Sequence, residues 1–451
     1  MAIVSRALDR LKQDLKEHLP DESIHVACRA AGHQWRERKL GPVATVHLFI
    51  MQTLWFNTAI EHLRHLSGFP FAAAAYCRAR MRLPLATLQT LLLDSSASMR
   101  AAAAADAAEA GLWRGLRALL VDGSSTITPD TPQLQGTFGQ PTGQKPGCGF
   151  PVPKLLGLFD VFTGMIVQML AFPLFTHEQS GVWQLHPHLR GGDLLVGDRG
   201  FCSFVHLAML QARGVWACFR MHQRQIVDFH PHRRTRRQWP KADRVGRPTS
   251  TFVRRLGRHD QIVRWTRPPK APSWMIPEQW ASMPESLEVR EVRYSISGKG
   301  QRTRLVTIAT TLLDPALYPR QAIAELYGIR WQVETHFAEL KTTLKMRKVK
   351  SKTTEGVLKE LAIYCLVYNL VRSIIVKAAR QQKVTPDRIS FIDTIRWLLT
   401  AAPDEAIPRL VVNKKRNRHE PRVIKDLQDT YPKMTRPRSE LKEELAIEPV
   451  K

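Results

Sequence analysis

The spacing of apolar positions changes several times along the chain. Over the first 110 or so residues it is helical: 24–31, 43–66, 71–81 and 85–93 read as helices, separated by Gly41-Pro42, Gly68-Phe69-Pro70 and Leu83-Pro84. The alanine run at 101–105 is helix-forming and carries no chemistry of its own. The runs then shorten. Residues 116–122 form an apolar strand that ends on Asp122 and the turn Gly123-Ser124. Residues 154–160 and 165–172 form a hairpin about Thr163-Gly164, and 193–198 is a second apolar run that closes on a carboxylate, Asp198. A helix from about 203 to 212 and a strand at 215–220 come next. Between about 223 and 309 strands and loops dominate, with 292–296 and 305–309 paired about Ser297-Gly298-Lys299-Gly300. Helical spacing resumes at Gln321 and again from 353 to about 400. The pattern predicts a mixed α/β core interrupted by a β-rich insertion, with helical regions at both ends.

Charge narrows the partners. The chain has 67 Lys and Arg against 40 Asp and Glu, a formal net charge of +27. An excess of this size points to a polyanion, nucleic acid above all. It is concentrated in the insertion, where Arg224 to Lys270 hold 14 cations and three acids, and in the tail at Lys414, Lys415, Arg416 and Arg418. In the N-terminal region the third helix carries Arg78, Arg80 and Arg82. Those short helices fit a helix-turn-helix-like DNA module and a bundle that only packs equally well. The longest apolar stretch, 361–376, is broken by Asn369 and Arg372 and falls short of the roughly 18 unbroken residues of a membrane span. The charged, h-region-free N-terminus and six scattered cysteines (Cys28, Cys77, Cys148, Cys202, Cys218, Cys365) lead us to expect a cytoplasmic protein with reduced thiols.

Candidate chemistry rests on three acids. Asp122 and Asp198 each end an apolar strand, where carboxylates from one sheet can converge to hold divalent cations. An aspartate after a strand is also a common turn former, so the pair alone decides nothing. The third element is the segment 326–341. At about 100° per residue, Tyr327, Arg330, Glu334 and Lys341 fall at about 0°, 300°, 340° and 320°, a single face about 60° wide. Leu326, Ile329, Val333, Phe337, Leu340 and Leu344 form the neighbouring apolar stripe that would anchor it. Such a face is usually solvated ion pairs. A carboxylate aligned with a phenol and two cations fits phosphate neighbours better.

The spacing Y-x2-R-x3-E-x6-K at Tyr327, Arg330, Glu334 and Lys341 resembles the signature of bacterial insertion-sequence DDE transposases of the insertion-sequence-4 type. The blocks Val121-Asp122-Gly123-Ser124 and Gly197-Asp198-Arg199-Gly200-Phe201, in that order and ahead of a basic insertion, agree with it. The resemblance covers about 110–350, and the N-terminal region more loosely. It implies an RNase H-like core in which Asp122, Asp198 and Glu334 are catalytic and hold two Mg2+ ions, with Mn2+ as a substitute. It assigns phosphate contacts to Tyr327, Arg330 and Lys341. Arg199 would touch DNA or pair with a metal ligand. Trp265 is the first candidate to stack on a flipped base at the transposon end, with packing of the β region as its equal alternative.

The implied organisation is a DNA-binding helical region at 1–110, core at 111–222 and 310–350, the insertion at 223–309, and a helical region with a basic tail at 351–451. The implied activity is cut-and-paste transposition: binding of terminal inverted repeats in double-stranded DNA, pairing as a homodimer on DNA, cleavage and strand transfer, in a nucleoid-associated cytoplasmic setting. A metal nuclease on the same core and an inert transposase-derived repressor are the competing readings. His177-Glu178 is expected to cap a helix, and neither His62 and His65 nor the His186/His188 and His230/His232 pairs make a zinc motif.

Overall fold

Alternation along the strands sorts their side chains onto two faces. In β1 (Ala118–Ser125), Ala118 and Leu120 enter one core and Leu119 and Val121 another. The same division separates Leu194 and Val196 from Leu195 in β4 (Leu194–Gly197), and Cys218 from Ala217 and Phe219 in β5 (Trp216–Arg220). Both faces are therefore covered, which is why these strands read as continuous apolar runs. A computed structural model describes residues 17–36, 38–105, 111–222, 225, 227–229, 249–298, 301–402, 405–413, 434 and 436–447. The eight cations from Arg224 to Arg247, His230 and His232, and the tail cations Lys414, Lys415, Arg416 and Arg418 lie outside them.

Nine strands form one mixed sheet in the order β3-β2-β1-β4-β5-β9-β8-β7-β6. β1 pairs antiparallel with β2 (Lys154–Asp160), which pairs antiparallel with β3 (Ile166–Phe172); β1, β4 and β5 run parallel. The expected insertion is not a detached body. Its strands β6 (Thr249–Gly257), β7 (Asp260–Thr266), β8 (Ser286–Gly298) and β9 (Gln301–Thr310) extend the same sheet, because β9 pairs with β5 at Cys218↔Thr310 and Phe219↔Ala309. One buried ion pair ties this extension to the segment after β9. Arg290, 0% exposed, donates from Nε and Nη2 to both carboxylate oxygens of Asp260 at 2.8 and 2.6 Å, and from Nη1 to the Tyr318 carbonyl at 2.7 Å.

Helices cover the two faces. On one side lie Leu88 and Leu92 of the helix Leu85–Ala105 and Ile363, Leu366 and Leu370 of the helix Thr354–Gln381; on the other lie Leu207 and Leu210 of Phe204–Ala212. Thr354–Gln381 is long and apolar enough to cross a membrane, yet 94% of its most apolar window is buried within the fold, so here it is a core helix. The polar residues that break its apolar run bind the sheet edge. Asn369 exchanges two 2.8 Å hydrogen bonds with the backbone of Ile166, and Arg372 donates to the Thr163 carbonyl at 2.7 and 2.9 Å. Gly164 is demanded at that turn: its φ is +69°, and a Cβ would lie 2.4 Å from the Arg372 guanidinium.

The single helix expected over 43–66 is two, Pro42–Leu54 and Ile60–Ser67. Phe56 and Asn57 adopt positive φ between them, held there by a tertiary contact in which Asn57 Nδ2 donates to buried Glu360 at 2.7 Å. Of the three arginines on Ala73–Arg82, Arg80 is taken up in packing, 3.7 Å over the Phe49 ring and hydrogen-bonded to Gln52, while Arg78 and Arg82 stay exposed.

Candidate active site

Parallel pairing of β1 and β4 aligns Val121 with Gly197, so Asp122, within β1, stands beside Asp198, the first residue past β4. Gly197 is needed for this closeness, since a Cβ there would meet Val121 at 2.9 Å. The turn expected at Gly123-Ser124 is instead strand, because β1 stays paired with β2 through Ser125. By alternation Asp122 shares the face of Ala118 and Leu120, the face covered by the helical segment after β9. Burial pushes the Asp122 carboxyl up to about 6. The Gly123 N–H at 2.8 Å and Arg330 oppose that rise, and the neighbouring charges of Asp198 and Glu178 add to it.

The segment carrying the other candidates is not one straight helix. Arg320–Ile329 ends at Arg330-Trp331, Gln332–Ala338 comes next, and Glu339–Thr343 is a π-turn. The stripe calculated at 100° per residue therefore does not hold along its length. Leu326, Val333, Phe337, Leu340 and Leu344 are nevertheless buried as expected. The π-turn is anchored from below, where Tyr368 bridges His336 Nδ1 at 2.9 Å and Glu339 at 3.1 Å.

Within this broken segment Tyr327 and Arg330 reach Asp198 and Asp122. The buried Tyr327 hydroxyl donates to Asp198 at 3.3 Å. Arg330, 5% exposed, lies 3.4 Å from Asp122 through Nη1 and 3.6 Å from Glu334 through Nη2, and its buried Nε has no partner among the described residues. Glu334 is half exposed and turned to Arg330. Lys341 donates to Ser124, two residues beyond Asp122, at 3.2 Å. Arg199 is exposed directly after Asp198.

Residues 113–370, more than half of the chain, match the family model of the transposase DDE domain, and this span holds Asp122, Asp198 and the segment that reaches them. The chain belongs to the DDE transposase family. Transposase InsG for insertion sequence element IS4 from Escherichia coli (strain K12) is 25% identical over 340 residues, covering 71% of this chain and 70% of that protein, which supports the insertion-sequence-4 type. A cryo-EM structure of the piggyBac transposase synaptic complex with hairpin DNA aligns over 88% of this chain and 81% of that one, at 11% identity and a TM-score of 0.40.

Two expectations for this transposase need correction. Trp265 is 1% exposed, packed in the core beneath the β extension with its Nε1 directed at Glu291 at 3.4 Å. No ring face is open to a base, and the packing alternative is the one observed. Trp331, by contrast, is 44% exposed, with the Arg330 guanidinium 5.0 Å from its ring. Glu178 is the second. His177 does cap the turn Glu178–Gly181, its Nδ1 accepting from the Gln179 N–H at 3.3 Å, but Glu178 lies against the backbone just past both aspartates. Nothing in its local sequence marked this, because the contact is made between segments 55 residues and 22 residues apart.

The donor set fits a hard divalent cation: carboxylate oxygens only, two of them side by side where β4 ends against β1. As they stand, no three His, Cys, Asp or Glu side chains among the described residues are drawn close enough to hold an ion. Arg330 instead places a positive charge between Asp122 and Glu334.

Proposed function

We propose that this transposase binds the terminal inverted repeats of its insertion sequence, cleaves the DNA strands there and joins them to target DNA, with Asp122, Asp198 and Glu334 as the catalytic, cation-holding carboxylates. The observation that carries this reading is the β1–β4 register that sets Asp122 and Asp198 side by side under Tyr327 and Arg330. Two divalent cations, Mg2+ or Mn2+, would supply activation of a water or 3′-hydroxyl and stabilisation of the leaving oxygen. Arg330 offers phosphate a planar fork with one N–H unpartnered among the described residues. Lys341 adds a point charge beside β1, and Arg199 a further cation beside Asp198. The helical region 1–110 and the basic insertion would grip the flanking duplex, with two copies pairing on DNA.

Transfer of tagged transposon ends into a plasmid tests the reading. Joined products support it. Cleavage without joining favours the nuclease reading, and binding without cleavage the repressor reading.

Two further outcomes separate phosphate contacts from surface ion pairs. Arg330→Lys should slow single-turnover cleavage of a pre-bound end by about tenfold or more, because a point charge cannot replace the fork. Wild-type rates would return Arg330 to a merely structural role. DNA affinity should fall steeply with salt, with a log–log slope of about −0.9 per phosphate contact, and Lys341→Ala should reduce that slope by about one. An unchanged slope removes Lys341 from the interface.

A further inference from the structure

Two buried histidines stand in a chain of hydrogen bonds that ends on the backbone of Asp198. His206, 3% exposed in the helix Phe204–Ala212, places Nδ1 2.7 Å from the Phe201 carbonyl oxygen. The Phe201 N–H in turn donates to the Asp198 carbonyl at 3.0 Å, closing the short turn Arg199–Phe201 that follows the aspartate. On its other side His206 Nε2 lies 3.1 Å from Nε2 of His186, which is also buried. The His206 ring stacks on Phe219, the strand partner of Gly197, which directly precedes Asp198.

Counting protons fixes the direction of this chain. Burial lowers His186 to about 3 and His206 to about 4, so both rings are neutral. A carbonyl only accepts, so the one N–H of His206 is on Nδ1 and its Nε2 is bare. His186 must then donate from Nε2, which leaves its own buried Nδ1 an acceptor without a partner among the described residues. An unpaired buried acceptor is costly, and packing alone does not account for tolerating it here.

Asp198 needs such a hold. It is the first residue past β4, its backbone is extended, and its carboxylate accepts a long hydrogen bond, 3.3 Å, from the Tyr327 hydroxyl. The aim of the carboxylate therefore depends on the turn behind it. We propose that His206 is a positioning residue for Asp198: its Nδ1–H holds the Phe201 carbonyl, and with it the turn that directs the carboxylate. His186 supports this by donating to the Nε2 that the tautomer leaves bare. The inference rests on the reading of Asp198 as a catalytic carboxylate.

Single-turnover cleavage of pre-bound, labelled transposon ends tests it, with DNA affinity and melting temperature measured on the same preparations. His206→Leu should cleave about tenfold or more slowly at unchanged DNA affinity, because a small misplacement of a reacting group is enough for such a loss. His206→Asn keeps an N–H at the place of Nδ1 and should recover most of the rate. His206→Gln carries its amide at the place of Nε2 and should stay as slow as His206→Leu, a comparison that serves even if the leucine variant folds poorly. In the wild type, NMR of isotope-labelled histidines should find His206 protonated on Nδ1 and His186 on Nε2. Equal rates for His206→Asn and His206→Gln would overturn the proposal, as would His206 protonated on Nε2 or rates that merely follow melting temperature across the variants. If Asp198→Asn fails to cleave while His206→Leu cleaves as the wild type does, this inference falls and the proposed function stands. Wild-type cleavage by Asp198→Asn would overturn the reading of Asp198 and this inference with it.

Discussion

Asp122→Asn, Asp198→Asn and Glu334→Gln are each expected to lower DNA cleavage by roughly three orders of magnitude while leaving DNA binding nearly unchanged. Loss of a ligand forfeits several kcal/mol of transition-state charge stabilisation, whereas the cations and backbone donors that would hold the duplex are untouched. Each replacement is nearly isosteric, and the amide oxygen introduced by Asp198→Asn would still accept from the Tyr327 hydroxyl. Stability should move differently from activity. The Asp122 carboxyl is held at about 6 by burial, so between its ordinary value near 4 and that value the folded state binds the extra proton. Its ionisation therefore destabilises the fold as pH rises through that window, and Asp122→Asn removes the cost. The melting temperature of Asp122→Asn at neutral pH should be unchanged or higher without added metal. Gel shifts, nicking of labelled transposon ends and thermal melts on the same preparations check all three. Wild-type nicking by Asp198→Asn in Mg2+ would remove Asp198 from the site.

Arg290→Ala should be the most damaging single change outside the acids, costing about 3–5 kcal/mol. Arg290 is fully buried and satisfies both oxygens of Asp260 together with the Tyr318 carbonyl, so truncation strands a buried carboxylate and a backbone acceptor at once. The double replacement Arg290→Met with Asp260→Leu should recover much of that loss, because no uncompensated charge then remains. Urea unfolding monitored by tryptophan fluorescence distinguishes the cases. Additive losses in the double variant would mean the two groups do not act as a pair. Arg290→Ala should also impair cleavage, since Tyr318 lies just ahead of Arg320–Ile329, the helix that carries Tyr327.

Local period and covalent order were enough to read a large part of this protein from its residues alone. Runs of apolar residues closed by Asp122 and Asp198 marked the existence of β1 and β4 but not their ends, since β1 runs on through the expected turn at Gly123-Ser124 to Ser125, where it pairs with β2. The strand β2 was legible to the residue at Lys154–Asp160. The spacing of Tyr327, Arg330, Glu334 and Lys341 identified the family without any geometry. Period also exposed the polar residues of the Thr354–Gln381 helix, although not their purpose in closing the edge of β3.

Contacts between distant segments settled the rest. A helical period cannot register the break at Arg330-Trp331 or the π-turn stabilised by Tyr368, because both are fixed by partners outside the segment. The same limit hid the kink at Phe56-Asn57, which Glu360 holds from 303 residues away. An exposed and a buried tryptophan look alike in sequence: Trp265 alternates inward on a strand covered on that face, while Trp331 lies at a helix break and stays in solvent. Glu178 shows the reason most plainly. Its neighbours in sequence mark only a capped turn, and its place beside Gly123 and Gly200 exists because β1 and β4 pair in parallel, which sets Gly123 within β1 next to the segment that follows β4.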